Sequence, residues 1–283
     1  MFPAKGTAPM AWIPIPGVDP RIKGRWINLS PQRRFVCDLL HFARAVPSVP
    51  TQRRMQLADL IEARGRRPDR ISWCAIFIKA FGIVAAARPE LRRAYLPLIW
   101  PHLYEHPINV ASFSLERTYR GEPGVFFARI ARPEEHSLRE LDALVRHYQR
   151  AAVETVPTFT QALWISRLPR PLRRLVWAIG LYSDGACRGH FFGTFGISVV
   201  GSLGAAGLHI LSPLTTTLNY GTFADDGALD VRLTYDHRVL DGAPAARALT
   251  ELEDVLHGEI RRELLDLAAE SEPVDGLVAE QVA

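Results

Sequence analysis

The spacing of hydrophobic residues predicts a chain in which helices and strands are interleaved. Apolar residues recur at helical intervals over about residues 31–46, 57–65, 71–88, 137–153 and 243–269. Strand-like patterns occur at about 49–57, 108–115, 124–130, 191–200, 214–221 and 228–235. The late strands follow one another through short turns, which favours a mixed or antiparallel sheet. We therefore predict an α+β fold, a two-layer sandwich with helices on one face of a mixed sheet.

Residues 157–192 do not follow either pattern cleanly. Trp164, Trp177 and many aliphatic residues are mixed with arginines, and prolines interrupt the stretch. We expect a pair of short helices that cover a pocket or pack against a neighbouring subunit. A basic amphipathic stretch that carries tryptophan could also contact a membrane surface or receive a lipid-like substrate. The sequence leaves these alternatives open.

The length of 283 residues allows one large domain or two small ones. Residues 1–28 are rich in proline and glycine, which predicts a surface segment before the first helix. Residues 270–283 are small and acidic, and we expect a flexible tail. One domain, residues 29–269, is then predicted between these two ends.

Composition argues against several classes of protein. The formal net charge is +4 and the basic residues are not gathered in one tract, so we expect no nucleic-acid partner. Three scattered cysteines fit a reducing compartment without disulfide bonds. We find no signal peptide and no apolar run of the roughly 18 residues that a membrane span requires, so we predict a cytoplasmic protein. The glycine-rich run 201–207 lacks the GxGxxG pattern, which argues against dinucleotide binding.

A histidine and a carboxylate four residues apart give the strongest chemical signal. His237 and Asp241 lie between a predicted strand and a predicted helix, and Gly242 permits a tight turn. Histidine is the usual proton acceptor near neutral pH, and a carboxylate can hold it or the loop that carries it. A metal site would need further ligands nearby, so no metal is predicted. The spacing alone also fits a purely structural pair.

The residues around this pair resemble a long family motif. Residues 236–243, Asp-His-Arg-Val-Leu-Asp-Gly-Ala, resemble the DHRxxDGA motif in the catalytic domain of the 2-oxoacid dehydrogenase acyltransferases, the E2 family. That domain is similar in fold to chloramphenicol acetyltransferase. Further segments resemble the family in the same order across residues 26–262: 29–34, 78–80, 88–91, 108–110, 124–125, 194–198 and 212–213. Chance does not readily produce this order.

The resemblance implies acyl transfer. His237 would be the general base that deprotonates the hydroxyl or thiol of an acceptor, and Ser198 would donate a hydrogen bond to the oxyanion. Asp241 would pair with Arg33 and fix the loop that carries the histidine. The acyl donor would be an acyl-CoA such as acetyl-CoA, used as a co-substrate without a permanently bound cofactor. Family members are trimers or multiples of trimers with the active site between subunits, so a homotrimer or a multiple of trimers is expected.

The chain departs from the family pattern at the acceptor end. Val199 replaces the asparagine that follows the family serine, and Arg92 replaces another. Residues 157–192 are longer and more hydrophobic than the family linker, and no lipoyl-bearing hairpin is visible. We therefore predict a free-standing biosynthetic O-acetyltransferase for a small hydroxylated, apolar acceptor. Two alternatives remain, a trans-acting dihydrolipoamide S-acyltransferase and a non-catalytic trimeric scaffold.

Overall fold

The computed structural model describes residues 24–66, 69–98, 100–199 and 204–270. Its helices are α1 (Pro31–Ala43), α2 (Ala58–Gly65), α3 (Trp73–Ala87), α4 (Leu138–Arg150), α5 (Pro157–Arg167), α6 (Arg170–Tyr182), α7 (Gly185–Phe192), α8 (Gly242–Val255) and α9 (Arg261–Ala269). Its strands are β1 (Ser48–Gln56), β2 (Arg93–Leu96), β3 (His102–Glu105), β4 (Val110–Tyr119), β5 (Glu122–Ala131), β6 (Phe195–Ile197), β7 (Thr216–Tyr220) and β8 (Ala228–Asp236). Most of the predicted segment 1–28 and of the predicted tail 270–283 lies outside the described residues.

Six strands form one mixed sheet in the order β1-β8-β7-β6-β4-β5. β6 runs parallel to both β4 and β7, whereas the remaining neighbours are antiparallel. β2 and β3 form a separate two-stranded sheet, which the hydrophobic pattern does not predict. The mixed sheet within an α+β fold confirms the predicted fold class.

The main core lies between one face of this sheet and helices α2, α3, α4, α8 and α9. α3 is apolar around most of its circumference, because it packs on the sheet and on its neighbouring helices at once. Phe81 of α3 meets the ring of Phe195 on β6 edge to face at 5.0 Å, and Phe77 stacks on Tyr220 of β7 at 4.1 Å. α3 therefore fixes the central strands that lead to the site.

A second group of helices lies on the other face of the sheet. Phe127 of β5 points away from the main core and contacts Phe35 of α1, with ring centres 5.9 Å apart. Phe35 contacts Trp177 of α6 at 5.1 Å. A buried ion pair, Arg173 Nε to Asp38 Oδ2 at 2.6 Å, joins α6 to α1. The prediction placed helices on one face only, and the structure adds this smaller layer at the β5 edge.

The hairpin between β4 and β5 is tighter than predicted. The polar segment 116–123 is not a loop, since only Arg120 and Gly121 lie between the strands. Both residues have positive φ, 52° and 80°, as a two-residue hairpin turn requires. Polar residues of this segment belong to strand ends, so their polarity gives no information about the turn itself.

The stretch 157–192 folds as three helices, α5, α6 and α7, instead of a pair. The first residues of the strand predicted over 191–200 belong to α7, and only the short strand β6 forms within that range. Gly193, with φ 86°, ends α7, and a Cβ there would lie 2.8 Å from the carbonyl oxygen of Val110. No helix within the described ranges is long and apolar enough to cross a membrane.

Candidate active site

A buried ion pair holds the turn that carries His237. β8 ends at Asp236, whose side chain is fully buried. Its carboxylate accepts hydrogen bonds from the backbone N–H of Arg238 at 3.0 Å and from two guanidinium nitrogens of Arg238 at 2.9 and 2.7 Å. The backbone N–H of His237 donates to the carbonyl of Pro47 at 3.0 Å. The backbone is therefore fixed on both sides of the histidine.

α7 supports this turn from a second direction. Arg188 is buried and donates to the carbonyl oxygens of Tyr95 at 3.1 Å and Pro213 at 2.7 Å. Burial lowers the pKa of Arg188 to about 10, and the Asp236 carboxylate opposes that shift. The guanidinium of Arg238 lies 4.3 Å from the ring centre of Tyr95, a favourable cation–π distance. The segment 157–192 thus contributes to the support of the histidine turn.

His237 lies beside Asp241. The Nδ1 atom of His237 is 3.4 Å from Oδ1 of Asp241, four residues further along the chain. The side chains are 48% and 83% exposed, so the pair faces solvent in the single chain. The ring of Tyr235 lies 5.8 Å from the imidazole and limits its movement on one side. The carboxylate therefore faces Nδ1, and Nε2 is the ring nitrogen on the far side.

The predicted ion pair between Arg33 and Asp241 is not formed within the chain. Arg33 is an exposed residue of α1, in a shallow depression with Glu116 and Pro123 at the β4–β5 hairpin. Asp241 follows β8, which is four strands from β5, and four spacings of about 4.8 Å give about 19 Å. The interpretation of Asp241 as a strut for Arg33 is therefore wrong for a single chain, and Asp241 contacts His237 instead.

Ser198 lies directly after β6, on the floor of a cavity. Its backbone N–H donates to the carbonyl of Leu218 at 3.1 Å, which extends the pairing of β6 with β7. Ser114 Oγ on β4 donates to Ser198 Oγ at 3.1 Å. The Ser198 hydroxyl proton is then free to donate to a bound group. The sequence resemblance identified Ser198 but not Ser114.

The structure does not bring Ser198 and His237 together within one chain. Ile197 pairs with Leu218 of β7, so Ser198 lies level with Asn219, which pairs with Arg232 of β8. His237 is five residues further along the β8 direction, about 17 Å at 3.3 Å per residue, and two strands away. The two residues are thus separated by roughly 19 Å, at different ends of the sheet.

A cavity of about 1140 Å³ is lined by the sheet, by helices α1, α5, α6 and α7, and by the end of α2 and the start of α3. Its floor carries serines and threonines of the central strands, among them Ser112, Ser114, Ser198 and Thr217. Its walls are largely aromatic and aliphatic. Each of the three helices formed by residues 157–192 lines this cavity.

Several supporting residues were missed by the sequence analysis. The acidic side chain of Asp236 and the basic side chain of Arg238 are both visible in the DHR motif. However, a spacing of two residues does not indicate that the two side chains form an ion pair with each other. Nothing in the sequence indicates the role of Arg188, because its hydrogen-bond partners are backbone carbonyl groups. Among the described residues, no group of three or more histidine, cysteine, aspartate or glutamate side chains could hold a metal ion.

The fold is shared with solved acyltransferase structures, although no protein-family model and no curated protein matches the sequence. A probable dihydrolipoamide acetyltransferase from Listeria monocytogenes 4b F2365 is 17% identical with a TM-score of 0.59, over 83% of this chain and 94% of that one. The dihydrolipoamide acetyltransferase of Azotobacter vinelandii is 20% identical with a TM-score of 0.62, over 90% and 100%. A truncated catalytic core of the 2-oxoacid dehydrogenase multienzyme complex from Thermoplasma acidophilum is 16% identical with a TM-score of 0.60, over 83% and 99%. This chain therefore has the fold of 2-oxoacid dehydrogenase acyltransferase catalytic cores, as the resemblance predicted.

Proposed function

We propose that the protein transfers an acyl group from a CoA thioester to the hydroxyl group of an apolar acceptor, with His237 as the general base. The observation that carries this proposal is the geometry of the DHR turn. A buried ion pair holds the histidine at a fixed place in an acyltransferase fold, and a carboxylate lies at its Nδ1 atom. The catalytic unit would span residues 29–269, with 157–192 as a family-atypical part of it.

Each side chain has a chemical role in this reaction. Asp241 favours the tautomer of His237 with the proton on Nδ1, so Nε2 can accept the proton of the acceptor hydroxyl. The acceptor oxygen attacks the thioester carbonyl carbon, and Ser198 donates a hydrogen bond to the resulting oxyanion. Collapse of the tetrahedral intermediate breaks the carbon–sulfur bond. The departing CoA thiolate takes the proton back from His237, so no covalent acyl-enzyme forms.

One structural relative supports these assignments. In the Azotobacter vinelandii dihydrolipoamide acetyltransferase, a serine, a histidine and an asparagine were investigated for their roles in the catalytic mechanism, and the histidine and asparagine are four positions apart. Here His237 and Asp241 have the same spacing, and Ser198 precedes them. Aspartate replaces asparagine, which adds a negative charge beside the imidazole.

The site would be assembled from two copies of the chain. Ser198 and His237 are roughly 19 Å apart in one copy, too far for both to act on the same carbonyl group. His237 and Asp241 are also largely exposed, as residues that complete a neighbouring site would be. We propose a homotrimer in which each site combines Ser198 and the cavity of one copy with His237 of the next.

A second candidate is transfer to dihydrolipoamide carried by another protein. The similarity of the fold to dihydrolipoamide acetyltransferases favours it. The two candidates share the donor and the base and differ in the acceptor. Acetyl-CoA offered with dihydrolipoamide and, separately, with apolar alcohols distinguishes them by which acceptor becomes acetylated.

The chemistry is tested by the release of CoA thiol from acetyl-CoA. We expect His237→Ala to abolish acceptor-dependent release, whereas His190→Ala, at an exposed position of α7 away from the cavity, keeps the wild-type rate. Equal release by wild type and His237→Ala would contradict the proposed base.

A further inference from the structure

We propose that the cavity above Ser198 binds a long aliphatic chain, so that one partner in the acyl transfer is a long-chain molecule. This inference rests on the proposed function and replaces a small acceptor with a large one. The cavity volume of about 1140 Å³ exceeds the roughly 300–1,000 Å³ of pockets for drug-sized ligands. A small alcohol would leave most of this apolar space without a contact.

The wall of the cavity is apolar and well packed. Trp177 contacts Phe35 of α1 at 5.1 Å and Phe192 at the end of α7 at 5.0 Å, and all three residues line the cavity. The buried ion pair between Arg173 and Asp38 holds the two helices that carry this wall. A chain of methylene groups gains about 0.8 kcal/mol for each group that such a surface removes from water.

The two arginines of the lining are engaged with the protein itself, and Glu116, a carboxylate of the lining, is exposed. Arg129 donates to the carbonyl of Phe191, and Arg64 donates to the carbonyl of Ile71 and covers the ring of Trp73 at 4.7 Å. Burial lowers the pKa of both guanidinium groups. The two guanidinium groups therefore do not need an anionic ligand, and the rest of the cavity surface favours a hydrocarbon ligand.

The entrance of the cavity is also apolar. Trp164 of α5, Ile179 of α6 and Leu211 line the cavity and are 61%, 51% and 43% exposed. Large apolar side chains that belong to a cavity and also reach solvent mark the route of an apolar ligand. A chain that extends from the interior to this opening would cover them.

Polar groups lie on the cavity floor, where the reactive end of such a chain is needed. The Ser114–Ser198 hydroxyl pair is on the cavity floor, and Ser198 is the proposed oxyanion donor. A molecule with a polar reactive end and a long apolar body matches this distribution. The chain could belong to the acceptor alcohol or to the acyl group of the CoA thioester, since both present the same hydrocarbon.

Two substrate series distinguish these sources. Primary alcohols from butanol to hexadecanol are assayed with acetyl-CoA, and thioesters from acetyl-CoA to palmitoyl-CoA are assayed with one short alcohol. We expect KM in one series to fall about fourfold for each added methylene group until the cavity is filled. The series that responds identifies the source of the chain. A flat response in both series would overturn the proposal.

Cavity-filling variants test the location. Ala162→Trp on α5 and Leu39→Trp on α1 enlarge partly buried residues that line the cavity from two sides. We expect either variant to raise KM for the longest substrate at least tenfold with little change for the shortest. Ala186→Trp, at an exposed residue of α7 outside the lining, is the matched control. Unchanged chain-length dependence in both filled variants, with wild-type melting curves, would overturn the proposal.

A binding assay separates this proposal from the proposed reaction. Fluorescence of dansyl-labelled undecanoic acid, displaced by hexadecanol without any CoA thioester, reports occupancy of the cavity. Binding that Ala162→Trp abolishes, without turnover of any acceptor, would support the cavity and contradict the acyl transfer. Turnover of short alcohols without probe binding would support the acyl transfer and overturn the cavity proposal.

Discussion

Arg238→Met should destabilise the protein and reduce its activity together. The substitution keeps an unbranched side chain but leaves the carboxylate of Asp236 buried without its bidentate partner. Breaking a buried ion pair from one side costs about 3–5 kcal/mol. Arg238 is 32% exposed and Arg188 remains nearby, so we expect the lower end, about 3 kcal/mol. In a protein of this size that corresponds to a fall in Tm of roughly 6–12 °C.

The assay combines thermal unfolding with the rate of CoA release. Arg247→Met, at an exposed position of α8, controls for the loss of a surface arginine and should melt as wild type does. Asp236→Asn combined with Arg238→Met removes both charges, so the double variant should be less destabilised than the sum of the single variants. A Tm of Arg238→Met within 2 °C of wild type, or strict additivity, would refute the assigned role of this pair.

Three further outcomes are expected. Ser198→Ala should lower kcat about 10²–10³-fold, measured by CoA release, because an oxyanion donor is lost; a loss below threefold would contradict that role. Burial, and then the charge of Arg188, lowers the pKa of His106 from 6.5 to about 4. Between pH 6.5 and pH 4 His106 therefore binds a proton in the unfolded chain but not in the folded chain, which lowers the Tm of the wild type as the pH falls. The Tm of His106→Gln should fall less steeply over this range, and equal slopes would contradict this. Burial raises the pKa of Cys74 to about 12, so thiol reagents at pH 8 should modify exposed Cys37 first, as mass spectrometry of the labelled protein would show.

The local pattern of apolar and polar residues was sufficient to predict most of the helices and strands. The stripe of apolar residues predicted α1, α3 and α8, and the pattern over about residues 137–153 predicted α4. The structure contains the full capping box, in which Ser137 Oγ accepts from the backbone N–H of Glu140 and the Glu140 carboxylate accepts from that of Ser137. These features depend on residues close in sequence, and for that reason the sequence predicts them well.

The site was predicted in its parts but not in its arrangement. The DHR motif identified His237 as a candidate, and the resemblance over residues 194–198 identified Ser198. No local pattern records that β7 separates their strands or that β6 and β8 run in opposite directions. The same limit explains the error at Arg33, which is placed by the long-range packing of α1 on β5. The position of α7 under the histidine turn also depends on contacts distant in sequence.

In the proposed homotrimer, two copies of the chain contribute Ser198 and His237 to one active site. To test this arrangement, His237→Ala and Ser198→Ala chains are co-expressed with different affinity tags, and trimers that carry both tags are isolated. In such a trimer one of the three interfaces combines an intact serine with an intact histidine, so about one third of wild-type activity should return. If both residues acted within one chain, every site would lack one of them and the mixed trimers would remain inactive.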